Sequence, residues 1–444
     1  MSYEKTNGRA HRKALRRRLR EIKRRNERRR QRAGARRRRA EVSSLRSMAR
    51  RSSATTTTMM VETFVRGVVP GDLHAKRVQS LVGGVQGVLE KGSMSVSAIG
   101  KGYAAWNDGD PKHGIKQMDR MLSNAGIELD ELFASWIPFV VGEQQSLMVA
   151  LDWTEFDRDR QSTLAATVVS GTDDGRSRLL IWETFQAYEL SDGGRIDAED
   201  ALLLTLREHL PADLNVVILA DRGFADSAMY TMLADWGWDF VIRFRGNIEV
   251  TDAAGKSQPA ADWLYPTGRA RKLANVSITR QRIPVGAVVC VHDRKMKAGW
   301  FLATSLSDEK ASEIVKRYGR RFTIEETFRD LKDPRYGLGL HGCRVRRPDR
   351  RDRLILLFAI THAMLTLLGE ASEKIGYDRR LKANTSKKRT HSLFSQGTYY
   401  FGALPRMSDR RLWPLLQAFV GVLHEHQVFR KLTSPKPTNG LPRK

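Results

Sequence analysis

Four residues between Tyr318 and Lys332, namely one carboxylate, two cations and one phenol, stand at spacings suited to phosphate chemistry. No Gly or Pro interrupts it after Gly319, and Asp333-Pro334 supplies a stop signal, so the pattern predicts a helix. At about 100° per residue, four side chains then fall within an arc of roughly 60°. These are Tyr318, Arg321, Glu325 and Lys332. Such a face could hold a carboxylate among phosphate-binding cations, or could be a solvated face with one weak ion pair.

Two aspartates upstream follow apolar runs typical of core strands. Asp152 ends L-M-V-A-L-D, and Asp221 follows N-V-V-I-L-A. We therefore place both at the exit ends of strands, where sites tend to form in open α/β sheets. Either aspartate alone would be explained as well by a loop or helix cap. The occurrence of both, with Glu325 downstream, favours a joint site.

The spacing Tyr-x2-Arg-x3-Glu-x6-Lys resembles the signature of bacterial insertion-sequence transposases of the DDE type, in the branch that cuts and pastes DNA through hairpin intermediates. The resemblance covers roughly residues 73–430. It implies an α/β fold: an RNase H-like catalytic domain with an inserted β subdomain, preceded by a small helical DNA-binding domain and followed by a helical C-terminal region. It also implies that Asp152, Asp221 and Glu325 are the catalytic, metal-binding carboxylates.

The same resemblance implies DNA contacts outside the carboxylates. Tyr318, Arg321, Lys332 and Arg243, the last in F-V-I-R-F-R, match positions that contact phosphate. Trp300, in W-F-L-A-T-S, matches a Trp that packs against a base flipped out of the DNA hairpin. A Trp on a strand is as readily explained as a core residue.

Three carboxylates suit a two-metal phosphodiester reaction. Two Mg²⁺ ions about 3.5–4 Å apart neutralise charge on the attacking and leaving oxygens. Mg²⁺ prefers a few carboxylates while it retains water and phosphate oxygens, and Mn²⁺ is the expected substitute. The sequence contains no His or Cys cluster that would suggest zinc instead.

The net charge favours a polyanionic partner. The chain carries +27 with a pI near 10.4, and basic clusters gain affinity by releasing counterions from phosphates. The two cysteines, Cys290 and Cys343, exclude a disulfide framework and fit a reducing compartment. No N-terminal segment resembles a secretion signal, which fits a cytoplasmic protein. The family resemblance implies that it is bacterial and nucleoid-associated.

Residues 1–50 hold 21 Lys or Arg against 4 Glu, a composition that predicts disorder or a helix formed only on a polyanion. The leader could be a DNA-binding arm. Alternatively, Met48, Met59 or Met60 could be the genuine start. The Thr-rich stretch Ser52 to Met60 is typical of a linker.

The order of predicted elements defines six segments. Three strands, then helix, strand, helix and strand, is the order expected of an RNase H-like fold. The segments are 1–60, basic leader and linker; 61–140, helical DNA-binding domain; 141–246, first part of the catalytic domain; 247–306, inserted β subdomain; 307–375, second part of the catalytic domain; and 376–444, C-terminal helical region.

The expected partners are double-stranded DNA, as terminal inverted repeats and as target, and a second copy of the chain, because two ends must be brought together. No membrane contact is expected, since the longest apolar run, Leu354 to Gly369, is shorter than the roughly 20 residues needed to span a bilayer. Two alternatives remain: an RNase H-like nuclease or resolvase without strand transfer, and a non-catalytic DNA-binding transposition inhibitor.

Overall fold

A computed structural model describes residues 53–169, 176–191, 193–426 and 429. The predicted leader, residues 1–50, lies outside the described residues. Five helices occupy residues 53–141, which include the segment 61–140 predicted to be helical. They are α1 (Ser53–Val68), α2 (Ala75–Lys91), α3 (Val96–Trp106), α4 (Pro111–Leu122) and α5 (Leu129–Val141).

The linker prediction for Ser52 to Met60 is wrong for its described residues, because Ser53 begins α1. Thr57 and Met60 are buried, and the Trp106 indole Nε1 donates a hydrogen bond to the Thr58 hydroxyl at 2.9 Å. Threonine has a modest helix propensity, but tertiary packing of this kind routinely overrides propensity.

One ten-stranded sheet forms the centre of the described chain. Its spatial order is β3-β2-β1-β4-β5-β10-β9-β8-β6-β7. The strands are β1 (Ser146–Phe156), β2 (Gln161–Val169), β3 (Ser177–Gln186), β4 (Asn215–Ala220), β5 (Asp239–Phe244), β6 (Glu249–Thr251), β7 (Ser257–Pro259), β8 (Arg271–Ile278), β9 (Ile283–Val291) and β10 (Trp300–Thr304). The first five strands form an antiparallel meander that joins a parallel pair, consistent with the RNase H-like expectation.

Strand β1 continues past the point where the sequence predicted its end. Its parallel pairing with β4 stops at Ala150, opposite Leu219, but its antiparallel pairing with β2 runs on to Phe156. Asp152 therefore lies within the strand rather than just beyond it. The polar residues that follow Asp152 remain in the strand because β2 supplies backbone partners on one side.

The strands predicted as an inserted subdomain extend the central sheet. β10 pairs antiparallel with β5 and with β9, and β8, β6 and β7 follow outward. The hydrogen-bonded ladder is therefore continuous across the domain boundary predicted between residues 246 and 247.

The predicted continuous helix from Tyr318 to Lys332 is divided by a tighter turn. Helix α8 (Ala311–Gly319) leads into a 3₁₀ turn, Arg320–Phe322, and α9 (Thr323–Lys332) follows. In a 3₁₀ turn each residue advances by about 120°, so the side chains before and after it do not keep the 100° spacing assumed for a common face. The prediction of one uninterrupted helix is thus wrong over Arg320–Phe322, but Arg321 still lies 5.9 Å from the Tyr318 ring and pairs with Glu325.

Four of the five remaining α-helices in the described residues are α6 (Gly194–His209) and α7 (Ser227–Asp235), between strands, and α11 (Leu393–Ala403) and α12 (Asp409–Glu425), near the end. Between α9 and α11 lies α10 (Pro348–Lys374). It is long and apolar enough to cross a membrane, but 94% of its apolar window is buried inside the protein. It packs against β3, α2, α11 and α12 as a core helix, as its sequence predicted.

Candidate active site

Asp152 lies in β1, and Asp221 directly follows the neighbouring strand β4, at the carboxyl end of this parallel pair. The β1–β4 register pairs Ala150 with Leu219, and two further residues along each chain bring the aspartates level with each other. Residues level in a parallel pair point to the same face. The Asp152 Oδ1 accepts from its neighbour's backbone N–H at 2.9 Å, and Asp221 Oδ1 accepts from the Gly223 N–H at 2.7 Å.

Arg321 links Asp152 to Glu325. Its Nη1 donates to Asp152 Oδ2 at 3.0 Å, and its Nη2 donates to Glu325 Oε1 at 2.8 Å. The Arg321 side chain is only 6% exposed, whereas the Asp152 side chain is 21% and the Glu325 side chain 51% exposed. The guanidinium is therefore buried behind two carboxylates that solvent, or a ligand, can reach.

Burial raises the pKa of Asp152 to about 6. Arg321 opposes this shift by favouring the charged form, and the negative charge of Asp221 adds to it. Two carboxylates close enough to repel each other, in a partly buried position, form a site where a cation would be favourable. Burial also raises the pKa of the Tyr318 hydroxyl next to this group.

The donor chemistry of these residues fits a hard divalent cation, since all three candidates offer carboxylate oxygens. In the described part of the chain, however, no group of three acidic, His or Cys side chains lies together in a way that could hold a metal. Arg321 supplies the positive charge between Asp152 and Glu325 instead. Arg321 contacts only one oxygen of each carboxylate, Asp152 Oδ2 and Glu325 Oε1, so the second oxygen of each is not engaged by Arg321.

Lys332 lies at the far end of α9 and contacts β1. Its Nζ donates to the Thr154 hydroxyl at 3.1 Å and to the Glu155 carbonyl at 2.8 Å. Burial lowers the pKa of Lys332. Thr154 and Asp152 are two residues apart on the strand and share a face, so Lys332 borders the same opening as Arg321.

Tyr318 and Trp300 belong to an aromatic cluster that adjoins Arg321. The Trp300 ring meets Tyr318 edge-on at 4.9 Å and lies 5.7 Å from Phe322. Tyr318 is fully buried, and its hydroxyl makes no hydrogen bond of normal distance and angle to the described residues. Phe322 is exposed and stacks against the Arg321 guanidinium at 4.8 Å. Arg243 binds the Gly299 carbonyl at 3.2 Å, one residue before Trp300.

Several residues that support Glu325 were not singled out from the sequence. The Thr327 hydroxyl donates to the Ser177 carbonyl at 2.9 Å and accepts from the Ser177 N–H at 3.0 Å. Arg176 pairs with the buried Asp330 at 2.5 Å and with Glu326 at 3.1 Å. These contacts fasten α9 to the edge strand β3. They join positions about 150 residues apart, so no local pattern could have indicated them.

Residues 148–364 match the family described as Transposase DDE domain. The matched segment runs from β1 into α10 and contains Asp152, Asp221, Glu325 and Lys332. Together with the strand order, the match is consistent with an RNase H-like DDE domain. A search of curated proteins finds no match to this chain.

Proposed function

We propose that this protein, in which residues 148–364 form a transposase DDE domain, is a DNA transposase that excises an insertion sequence and joins its ends to target DNA. The observation that carries the proposal is the connection of Asp152 to Glu325 through Arg321, beside Asp221 at the end of the neighbouring strand β4. Carboxylates and a buried arginine at one strand edge suit phosphodiester cleavage better than they suit a structural role.

Asp152, Asp221 and Glu325 would hold Mg²⁺, or Mn²⁺ in its place. The cations would supply charge neutralisation at the attacked phosphodiester and activation of the attacking oxygen. Asp152 would bind in its charged form, which the raised pKa makes fully available only above about pH 6. Glu325, half exposed at the start of α9, has the freedom to turn from Arg321 toward the aspartates.

Arg321 and Lys332 would position the scissile phosphate. Once it releases a carboxylate, the planar Arg321 guanidinium offers two parallel N–H donors to a pair of phosphate oxygens. Lys332 acts as a point charge, and Arg243, beside the aromatic cluster, adds a further phosphate contact. Such contacts fix the register of the DNA and carry no sequence information.

The finer steps of the proposal rest on the resemblance of the Tyr318 to Lys332 signature. In that mechanism a freed 3′-hydroxyl attacks the opposite strand to form a hairpin, which is reopened before the end is joined to the target. Trp300, next to the exposed Phe322, would stack on the flipped base, and two copies of the chain would hold two terminal inverted repeats. The action takes place on DNA in the bacterial cytoplasm.

The test uses purified protein, DNA carrying the flanking ends of its own gene, and Mg²⁺ or Mn²⁺. The full chain is compared with residues 48–444, which retain all of α1; a start at Met59 would remove Thr58 and its bond to Trp106. Glu325→Gln is the inactive variant, and Glu313→Gln, an exposed acid on α8 whose pair with Lys316 spans 3.9 Å, is the matched control.

Metal-dependent cuts at the element boundary and joined end-to-target products, lost in Glu325→Gln and kept in Glu313→Gln, support the transposase. Cleavage without joined products would favour the nuclease or resolvase. DNA binding with no cleavage in either metal would favour the transposition inhibitor.

A further inference from the structure

Trp153 connects Asp152 to a buried carboxylate on the opposite face of the sheet. Successive side chains on a strand point to opposite faces, so Trp153 lies behind the aspartate. Its backbone N–H donates to Asp152 Oδ1 at 2.9 Å, and its indole Nε1 donates to Glu199 Oε1 at 2.7 Å. Glu199 lies on α6 and is 4% exposed.

The Trp153 ring is held on further sides. The Arg195 guanidinium stacks on the ring at 4.7 Å and pairs with Glu155 at 2.8 Å, and Phe185 lies 5.9 Å away. The indole is therefore fixed by one hydrogen bond, one stacked cation and one aromatic neighbour.

These Trp153 contacts lie in the part of β1 that pairs with only one neighbouring strand. Beyond Ala150 the strand no longer pairs with β4, and β2 alone supplies its backbone partners as far as Phe156. A strand held from one side can pivot about that ladder. Lys332 holds this part of the strand at Thr154 and Glu155, and the link from Trp153 to α6 adds an anchor at the residue that follows Asp152.

A buried glutamate is energetically unfavourable at a position where a side chain only fills space. A buried carboxylate costs free energy unless it is hydrogen-bonded, and an apolar side chain of similar size would pack there without that cost. Burial raises the pKa of Glu199 to about 7, and the charges of Asp200 and Asp226 raise it further, while Arg195 and the Trp153 hydrogen bond oppose the shift. The indole N–H gives the buried Glu199 carboxylate a hydrogen-bond donor, and the same hydrogen bond holds the Trp153 ring in place.

We propose that Glu199 is a positioning residue: by accepting the Trp153 indole hydrogen bond it fixes the end of β1, and thereby the direction of the Asp152 carboxylate. The inference deepens the proposed function and rests on it, because Asp152 is there a metal-binding residue. Supporting groups of this kind typically change metal affinity or activity by about 10–100-fold.

The test compares Glu199→Gln, which keeps the acceptor oxygen, with Glu199→Leu, which keeps the volume and removes the acceptor. Mn²⁺ binding is measured without DNA by electron paramagnetic resonance, and kcat and KM for DNA cleavage are measured separately. We expect Glu199→Leu to bind Mn²⁺ about 10–100-fold more weakly and to lose kcat by a similar factor with KM unchanged. Glu199→Gln should restore both.

Controls separate positioning from folding and from charge. Asp200→Asn removes the neighbouring charge on α6 and should leave Mn²⁺ affinity unchanged. If Glu199→Leu fails to fold, Trp153→Phe, which removes only the indole donor, must show the same loss. The double variant should be no worse than either single variant, because both break one hydrogen bond.

Equal Mn²⁺ affinity and kcat in Glu199→Leu and wild type would overturn the positioning role. So would a loss in Glu199→Leu that Gln does not restore. A wild-type protein that neither binds Mn²⁺ nor cleaves DNA would instead overturn the proposed function, so the two failures are distinguishable.

Discussion

Two buried arginines show how similar a site and a core can look. Arg321 and Arg351 are both almost fully buried, and each donates to an aspartate, Asp152 at 3.0 Å and Asp159 at 2.5 Å. Each also stacks on a phenylalanine ring, at 4.8 Å for Arg321 and 3.8 Å for Arg351. Burial and ion pairing alone therefore do not show which arginine belongs to a functional site and which to the core.

The arginines differ in how exposed their acceptors are. The Asp159 side chain is 5% exposed, and Gln161, which accepts from Arg351 at 2.5 Å, is buried as well. The acceptors of Arg321 are open to solvent by comparison, above all Glu325. Arg351 is thus enclosed with its partners, whereas Arg321 can exchange a carboxylate for a phosphate. The exposed hydrogen-bond acceptors of the buried Arg321 therefore distinguish the candidate active site from the core pair at Arg351.

The largest effect on stability is expected at Arg351. Arg351→Met leaves Asp159 buried without its cation, and breaking a buried pair in this way costs about 3–5 kcal/mol. Arg321→Met should cost less, because solvent reaches both of its partners: the Glu325 side chain is 51% exposed and the Asp152 side chain 21% exposed. Urea unfolding of both variants provides the measurement. Equal losses of unfolding free energy in the two variants would contradict the distinction between the two arginines.

The largest effect on activity is expected at Glu325. Glu325→Gln removes a charged ligand from the proposed metal site and should slow cleavage by on the order of 10³-fold, or about 4 kcal/mol. Unfolding free energy should change by less than about 0.5 kcal/mol, since the side chain is half exposed. Rates and urea curves measured on the same preparation test both parts. Unchanged cleavage would exclude Glu325 from the reaction.

The partly buried Asp152 carboxyl makes the stability of the folded protein depend on pH. Its folded-state pKa is raised from 3.8 to about 6, so the folded protein keeps a proton that the unfolded chain releases between these values. The stability contributed by this carboxyl is therefore present below about pH 4 and lost as pH rises through 6, by about 2–3 kcal/mol.

Asp152→Asn should remove this part of the pH dependence. The difference between wild type and variant in urea unfolding, followed from pH 4 to 7, isolates Asp152 from Glu199, whose raised pKa acts in the same direction. Parallel stability curves for the two proteins would contradict the shifted pKa.

The sequence predicted the strands that carry Asp152 and Asp221 because apolar runs report directly on burial in a sheet. The same runs could not show that β1 continues past Asp152, since that depends on pairing with β2. Periodicity also assumed one helix from Tyr318 to Lys332 and could not detect the 3₁₀ turn. Arg321 was predicted as a phosphate ligand, but its link to Asp152 spans 169 positions and is visible only in the folded chain.

The smallest effect on stability is expected at Tyr318, whose ring lies beside Arg321. Its hydroxyl is buried and makes no normal hydrogen bond in the described part of the chain, so Tyr318→Phe should change unfolding free energy by less than about 0.5 kcal/mol. Replacing an unsatisfied buried polar group by an apolar one of the same shape is nearly neutral or stabilising.

A cleavage assay on the same Tyr318→Phe variant then separates two roles for this residue. If the phenol binds phosphate, as its place in the signature implies, Tyr318 must become accessible on DNA, and KM should rise severalfold because one hydrogen bond contributes about 0.5–1.5 kcal/mol. If the ring only supports Arg321 and Trp300, kcat and KM should both match wild type. Tyr230→Phe, which removes another buried hydroxyl that makes no hydrogen bond within the described residues, is the matched control.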